Sequence, residues 1–314
     1  MDVLDASGGF VSNFGPMAKA RAIVKRRKAV RNIRKITKTM QMIATAKFQK
    51  ALKRAVGTKA YSKKVRELVA EVARSVGDVT HPLLRRPEPG TGRTVGLVVI
   101  TSNRGLAGAY NGSVLRTAGH FIREQESQGK KIELYVAGKK GVSYFNFQRR
   151  AITQRLEIGD TPKFEDVEKV AQSFIDKFTA GAYDAVHLAY MNFLSAGSQK
   201  PEVLALLPLA GVEPPKAGAG EPGELRVDAI YDFIPDAQTL LDELLPLTVK
   251  TTMFQAFLDA TTSEHVARMV SMKSATDNAD KMVKSLTMRY NRARQSQITT
   301  ELSEIMGGVE AMNE

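Results

Sequence analysis

Two long stretches without helix-breaking residues lie near the ends of the chain and restrict the folds open to it. Residues 18–80 contain no proline and only two glycines, Gly57 and Gly77. Near the other end, sixty consecutive residues between Pro246 and Gly307 contain neither glycine nor proline. Apolar residues recur in both stretches mostly in steps of three, four or seven, which indicates one face of an α-helix. We therefore predict one very long helix near each end.

Each predicted helix is longer than a compact domain can hold. Sixty residues in an α-helix extend about 90 Å. Two such helices must bury their apolar stripes, so we predict that they pair as an antiparallel coiled coil projecting from a globular body. Pro82 ends the first helix, predicted at residues 17–80, and Asp236 can cap the second, predicted at residues 236–314. The stripes are rich in Ala, Met and Thr, so we expect the pairing to be imperfect.

The middle of the chain, residues 92–235, alternates short β-rich runs with helical patterns. The strand runs are Thr94–Thr101, Ile132–Val136, Ala185–Tyr190 and Glu202–Leu207, and the helical patterns are Gly112–Ser127, Lys139–Phe147 and Phe164–Phe178. This alternation predicts a Rossmann-like α/β domain with a mostly parallel sheet, flanked by the N- and C-terminal helices. Residues 1–16 are expected to form a flexible N-terminal extension, and the Gly- and Pro-rich residues 211–224 a flexible loop.

The composition argues against several kinds of active site. The chain has no cysteine, which excludes a disulfide, a cysteine zinc site and a thiol nucleophile. The four histidines, His81, His120, His187 and His265, show no spacing typical of metal ligands, and no Ser/His/Asp arrangement can be proposed. No apolar run reaches the roughly 18 residues of a membrane span. The first sixteen residues lack the features of a secretory signal or a mitochondrial transit peptide. We therefore predict no catalytic residue, metal or cofactor.

A glycine-rich loop after the first predicted strand suggests phosphate binding at first sight. Gly105, Gly108 and Gly112 give the spacing G-x-x-G-x-x-x-G. That spacing is neither the G-x-G-x-x-G of dinucleotide-binding folds nor the Walker pattern, and no Lys-Ser/Thr pair follows it. A tight turn from strand to helix is the better interpretation.

The positive charge of the chain is concentrated in one segment. Between Met17 and Val56 there are fourteen Lys and Arg residues and no acidic residue, so of the net charge of +13 the rest of the chain contributes +13 − 14 = −1. Such a helix could neutralise the phosphates of a nucleic acid. Against this, Phe48 is its only aromatic residue before Tyr61, and an apolar stripe runs through it. A basic face directed at solvent or at a protein partner is the alternative, and charge alone leaves both open.

Three longer motifs give the sequence a specific resemblance. They closely resemble motifs of the gamma subunit of bacterial F-type ATP synthases, and they occupy residues 34–49, 262–280 and 290–305. The turn Arg104–Asn111 is also similar. The similarity runs from about Met17 to Met312 in the order of the family, which makes an accidental match very improbable.

The resemblance implies a mechanical function. Gamma subunits form the central rotor shaft, with their paired helices inside a ring of three alpha and three beta subunits. Their α/β domain lies against the epsilon subunit and the membrane-embedded c-ring, and one copy is present per complex. ATP is made in the beta subunits, so the shaft needs no catalytic residue or cofactor of its own. The implied location is the cytoplasmic face of a bacterial inner membrane, with membrane contact only through partners.

The resemblance also implies roles for individual residues. Five match positions that contact the beta subunit: Met40, Arg268, Arg294, Gln295 and Thr299. Three apolar residues match the tip that turns in a hydrophobic sleeve: Leu302, Ile305 and Met306. Tyr231 and Phe233 match positions that face the c-ring.

Overall fold

The computed structural model of the chain describes residues 16–76, 81–85, 94–209 and 237–313. In chain order, its elements are α1 (Pro16–Val76), a 3₁₀ turn (Pro82–Leu84), β1 (Thr94–Ile100), α2 (Tyr110–Ser127), β2 (Lys131–Ala137), α3 (Lys139–Phe147), β3 (Gln154–Leu156), α4 (Phe164–Thr179), β4 (Ala185–Ser195), β5 (Ser198–Leu207) and α5 (Ala237–Asn313). Residues 1–15, the predicted loop 211–224, Tyr231 and Phe233 lie outside the described residues. Within the described ranges, no helix is long and apolar enough to cross a membrane.

The five strands form one sheet in the order β3-β2-β1-β4-β5. The pairs β3–β2, β2–β1 and β1–β4 are parallel, whereas β5 returns from β4 as an antiparallel hairpin. The fold class predicted from the sequence, an α/β domain flanked by two long helices, is confirmed. The strand β3 was not predicted, because it is only three residues long and exposes Gln154 and Arg155.

The chain divides into two compact units. The first, here called the α/β unit, comprises residues 44–268, and the second, called the helical unit, comprises the residues up to 43 together with those from 269 onward. Helices α1 and α5 each contribute residues to both units.

The core of the α/β unit lies on both faces of the sheet. In β1, six consecutive residues are buried, Val95–Ile100, because helices cover the sheet on either side. Alternate side chains enter different clusters: Leu97 and Val99 pack with α2 and α3, whereas Val98 and Ile100 pack with α4, the later part of α1 and the first part of α5. This two-sided burial explains the continuous apolar run in the sequence.

In the helical unit, α1 and α5 run antiparallel. Three contacts record their register: the guanidinium of Arg27 over the ring of Tyr290, the ion pair of Arg34 with Asp280, and the hydrogen bond from Thr276 Oγ1 to Thr37 Oγ1 at 2.9 Å. As the residue number rises along α1, the partner's number falls along α5, which defines the antiparallel direction. Among the described residues, the apolar cluster between them is small: Val30, Ala279 and Leu286 are buried, and Ile23 and Val283 pack against them partly buried.

Candidate functional site

The last part of α5 carries an apolar stripe on an exposed surface. Its members recur in steps of four and three residues along one face of the helix: Ile298, Leu302, Ile305, Val309 and Met312. Each is more than half exposed, as is Met306 beside the stripe. Contiguous exposed apolar surface of this kind marks a site of contact with another molecule. The three predicted sleeve residues, Leu302, Ile305 and Met306, all belong to this surface.

Three more residues that the motifs assign to this helix lie around the start of the stripe. Arg294, Gln295 and Thr299 are exposed, and the Thr299 hydroxyl donates a hydrogen bond of 3.0 Å to the Gln295 carbonyl. The exposed guanidinium and amide groups are therefore free to meet solvent or a partner. Their assignment to the beta subunit stays a prediction.

Helix α1 of the helical unit presents apolar and basic groups side by side. Ile33, Ile36 and Ile43 are each more than half exposed, and Met40 of the same stripe is half-buried. Among residues 21–38, the exposed cations include Arg21, Lys25, Arg26, Lys28, Arg31, Lys35 and Lys38. The apolar stripe could be recognised in the sequence. That most of it is exposed could not. A surface that mixes isoleucines with cations is suited to a protein partner that is both apolar and acidic.

Arg268 has a different environment, in the α/β unit. Its side chain is only 10% exposed. Its guanidinium lies 2.7 Å from the carboxylate of Glu264, one helical turn earlier, and donates long hydrogen bonds of 3.4 Å to the carbonyls of Arg104 and Gly105. Burial raises the pKa of Glu264, and the Arg268 charge opposes that increase. Arg268 therefore ties α5 to the glycine-rich turn, a role that the motifs did not indicate.

The glycine-rich turn joins β1 to α2. Leu106 and Gly108 adopt positive φ angles of 65° and 55°, and the Asn111 side chain accepts a hydrogen bond of 3.0 Å from the Ser102 N–H. The turn is thereby closed by its own side chains and by Arg268.

The crevice where open α/β sheets bind ligands is filled in this chain. Such sheets bind ligands beyond the carboxyl ends of the strands, where the strand order reverses. Here that point lies between β1 and β4. Helix α5 covers it: Ser263 donates a hydrogen bond of 3.3 Å to the Met191 carbonyl of β4, and Glu264 lies close to the buried Tyr110. The remaining cavity of about 30 Å³ has the volume of one water molecule.

Comparison with known proteins identifies the family. The family model for ATP synthase matches residues 19–312. The ATP synthase gamma chain of the bacterium Rhodopirellula baltica is 43% identical over 297 residues, covering 94% of this chain and 99% of the relative. That of Leptospira biflexa is 39% identical over 298 residues, covering 95% and 100%. This chain therefore belongs to the ATP synthase gamma chain family. Its role is that of the central-stalk subunit of the rotary motor.

Solved structures show the same fold. A chain in the structure of the Euglena gracilis mitochondrial ATP synthase, comprising OSCP, F1 and c-ring in rotational state 3, matches with a TM-score of 0.62 at 20% identity, covering 94% of this chain and 95% of that one. A chain in the central stalk and c-ring structure from Tetrahymena thermophila matches with a TM-score of 0.52 at 20% identity, covering 76% and 99%. The alternative interpretation, a basic coiled-coil protein that binds nucleic acid, receives no support from these matches.

Proposed function

We propose that this chain is a non-catalytic rotor shaft that transmits c-ring rotation to a head of three alpha and three beta subunits. One copy serves each complex, and epsilon binds at its α/β unit. The exposed apolar stripe at the end of α5 carries the proposal. A side-chain surface of this kind is unfavourable in water, and a hydrophobic sleeve around Leu302, Ile305 and Met306 would bury it.

The filled crevice supports the proposal that the chain is non-catalytic. A nucleotide needs a pocket of about 300 Å³ or more. Helix α5 and the Glu264–Arg268 pair occupy the place where an α/β sheet would provide one. The shaft instead makes different contacts with three conformations of its neighbouring subunits. Because these contacts differ in free energy, they shift the equilibria among those conformations without any ligand on the shaft.

Torque in this proposal comes mainly from packing. The exposed cations of α1 would pass an acidic loop on each beta subunit, but an exposed ion pair contributes only about 0.2–1 kcal/mol and is screened by salt. Steric contact of the stiff helices with the head therefore carries most of the load, and charge biases the alignment. Met40, Arg294, Gln295 and Thr299 would contact beta, and Arg268 would support the neighbouring turn.

Membrane attachment would come only through partners. Tyr231 and Phe233, which lie outside the described residues, are the proposed contacts with the c-ring. The proposed location is the cytoplasmic face of the bacterial inner membrane, and no nucleic acid is involved.

Isolation of the chain with and without its partners tests this function. Purified alone, it should neither bind nor hydrolyse ATP, because the crevice has no room for a nucleotide. Expressed in its own cells with an affinity tag, it should recover alpha, beta and epsilon. Equilibrium dialysis with ATP and identification of the recovered proteins are the measurements. Saturable ATP binding that is lost on replacing Gly105 or Gly108, or recovery of nucleic acid alone, would contradict the proposal.

A charge placed at Met40 should impair coupling. In Met40→Lys, an ammonium would form an ion pair with the acidic beta loop and hold one rotational position about 1 kcal/mol more tightly, equivalent to about a fivefold longer dwell. We expect ATP hydrolysis to persist, proton pumping per ATP to fall, and the temperature dependence to steepen. ATP-driven pumping and ATPase rate, measured together in membrane vesicles, give the ratio.

Two control variants isolate the position of that charge. Met40→Leu, similar in size and uncharged, should be nearly silent. Met42→Lys adds the same charge at an exposed residue two positions further along α1 and should leave the ratio close to the wild-type value. A wild-type ratio in Met40→Lys, or an equal loss in both lysine variants, would show that Met40 is not at the torque-bearing contact.

A further inference from the structure

The α/β unit contains a cavity of about 160 Å³ with a basic wall. Lys47, Lys50 and Arg54 of α1 line it together. Their spacing of three and four residues places them on one face of the helix. Facing them are Asp160, from the segment before α4, and His265 of α5.

The direct partners of Asp160 lie outside this basic wall. Its carboxylate accepts a hydrogen bond of 3.0 Å from Asn103 Nδ2 and pairs at 3.1 Å with Arg104 Nη2. The Asn103 hydrogen bond, followed by the charges of Arg104 and, to a smaller extent, Lys47 of the wall, holds the pKa of Asp160 below its usual range. Among the described residues, no ion pair involves the three cations of the wall. The cavity therefore holds an excess of positive charge.

His265 brings an imidazole that is almost entirely buried to the wall of the same cavity. Its side chain is 6% exposed, and its Nδ1 atom is buried without a hydrogen-bond partner. A buried N–H without an acceptor is less tolerable than an unpaired lone pair, which favours the tautomer protonated at Nε2. The ring can then donate a hydrogen bond while it stays neutral.

The charges around His265 agree with a positive local potential. Burial, followed by the charges of Arg268 and Lys47, lowers its pKa to about 4. Arg104 lowers it further, and Asp160 opposes the change. At neutral pH the imidazole is therefore uncharged, and cations outnumber anions around it.

We propose that this cavity is a binding site for a small polyvalent oxyanion of the inorganic phosphate class. The wall supplies three cationic donors and one buried imidazole, which suits a dianion rich in acceptor oxygens. One water molecule occupies about 30 Å³ in the liquid, so 160 Å³ can hold such an ion with a few waters. A nucleotide would need about twice that volume. The site is independent of the proposed function, and its failure would leave that function untouched.

Titration of the full-length chain with inorganic phosphate at constant ionic strength tests the site. Calorimetry should show saturable binding, and NMR of the His265 ring should show its pKa rising from about 4 when phosphate is present, because an anion stabilises the imidazolium. Lys50→Gln should weaken binding about tenfold, as expected for one lost charge-assisted hydrogen bond.

Lys53→Gln is the matched control for this experiment. Lys53 is an exposed residue of the same helix that does not line the cavity, and the variant loses the same charge. Its affinity for phosphate should stay close to that of the wild type. Binding without saturation, an unchanged His265 pKa, or equal weakening in both variants would overturn the proposal, the last because it would indicate attraction to the helix charge as a whole.

Discussion

Replacing Gly138 by alanine is expected to lower the free energy of unfolding of the α/β unit by about 3 kcal/mol or more. Gly138 follows β2 directly and has φ and ψ angles of 93° and 136°, which a residue with a Cβ rarely adopts. A Cβ built there would lie 2.1 Å from the carbonyl oxygen of Thr101. That backbone cannot retreat easily, because the Thr101 N–H and hydroxyl donate hydrogen bonds of 2.9 Å and 2.8 Å to the Ala137 carbonyl.

Two other glycines separate the causes of this loss. Gly159→Ala adds a methyl group with no atom within 4 Å and should change stability by less than about 0.5 kcal/mol. Gly181 has a φ of 77° but only Arg85 Nη2 nearby, at 3.8 Å, so its alanine variant should show the conformational cost alone, about 1 kcal/mol. Urea unfolding followed by circular dichroism gives all three values. Equal midpoints for Gly138→Ala and Gly159→Ala would show that the β1 and β2 ends are far more adaptable than this geometry implies.

The long helices were predictable because helix formation depends on local features. Few glycines or prolines interrupt either segment, and the apolar spacing persists, so the sequence alone indicated helices there. Pro246 is the informative exception, since α5 continues through it from Ala237. Pro246 is the tenth residue of α5, where a proline removes a backbone hydrogen bond, and burial of Leu241, Leu245 and Val249 on either side offsets that cost.

Strand bounds were less predictable because pairing supplies part of their stability. The sequence predicted a strand over Ala185–Tyr190, whereas β4 continues to Ser195 and pairs with β5 as a long hairpin. The turn between them, Ala196 and Gly197, is exposed and gives no apolar pattern to detect. β3 was missed for the same reason, since only Leu156 of its three residues is buried.

The candidate sites also differ in how far the sequence could predict them. The apolar stripe from Ile298 to Met312 could be read from helical spacing, but its exposure required the structure. The i to i+4 spacing of Glu264 and Arg268 indicates an ion pair on one face of a helix. The motifs instead assigned Arg268 to contact with a partner subunit. The cavity at His265 had no signal at all, because its wall comes from three segments that are distant in sequence and meet only through folding.

Replacing Arg268 by methionine is expected to destabilise the isolated chain by about 3–5 kcal/mol near neutral pH, as does the loss of one partner from other buried ion pairs. The Glu264 carboxylate would remain buried without its counter-charge, while Arg104 and Gly105 would lose a donor to their carbonyls. Lys63→Met is the matched control, because Lys63 forms an exposed ion pair of the same i to i+4 spacing with Glu67. It should cost less than about 1 kcal/mol.

The pH dependence of that loss identifies its cause. Burial raises the pKa of Glu264, and without Arg268 nothing comparable opposes the increase. A carboxyl whose pKa is higher in the folded than in the unfolded chain destabilises the fold as pH rises above the unfolded value of about 4.3, up to its folded pKa. The deficit of Arg268→Met relative to wild type should therefore be smaller at about pH 4.5 than at about pH 7.5. Urea unfolding at both pH values measures it. A deficit that is the same at both pH values would show that the unpaired Glu264 carboxylate is not its cause. A deficit no greater than that of Lys63→Met would mean that Arg268 contributes little to the isolated chain and that its importance lies in contact with a partner subunit.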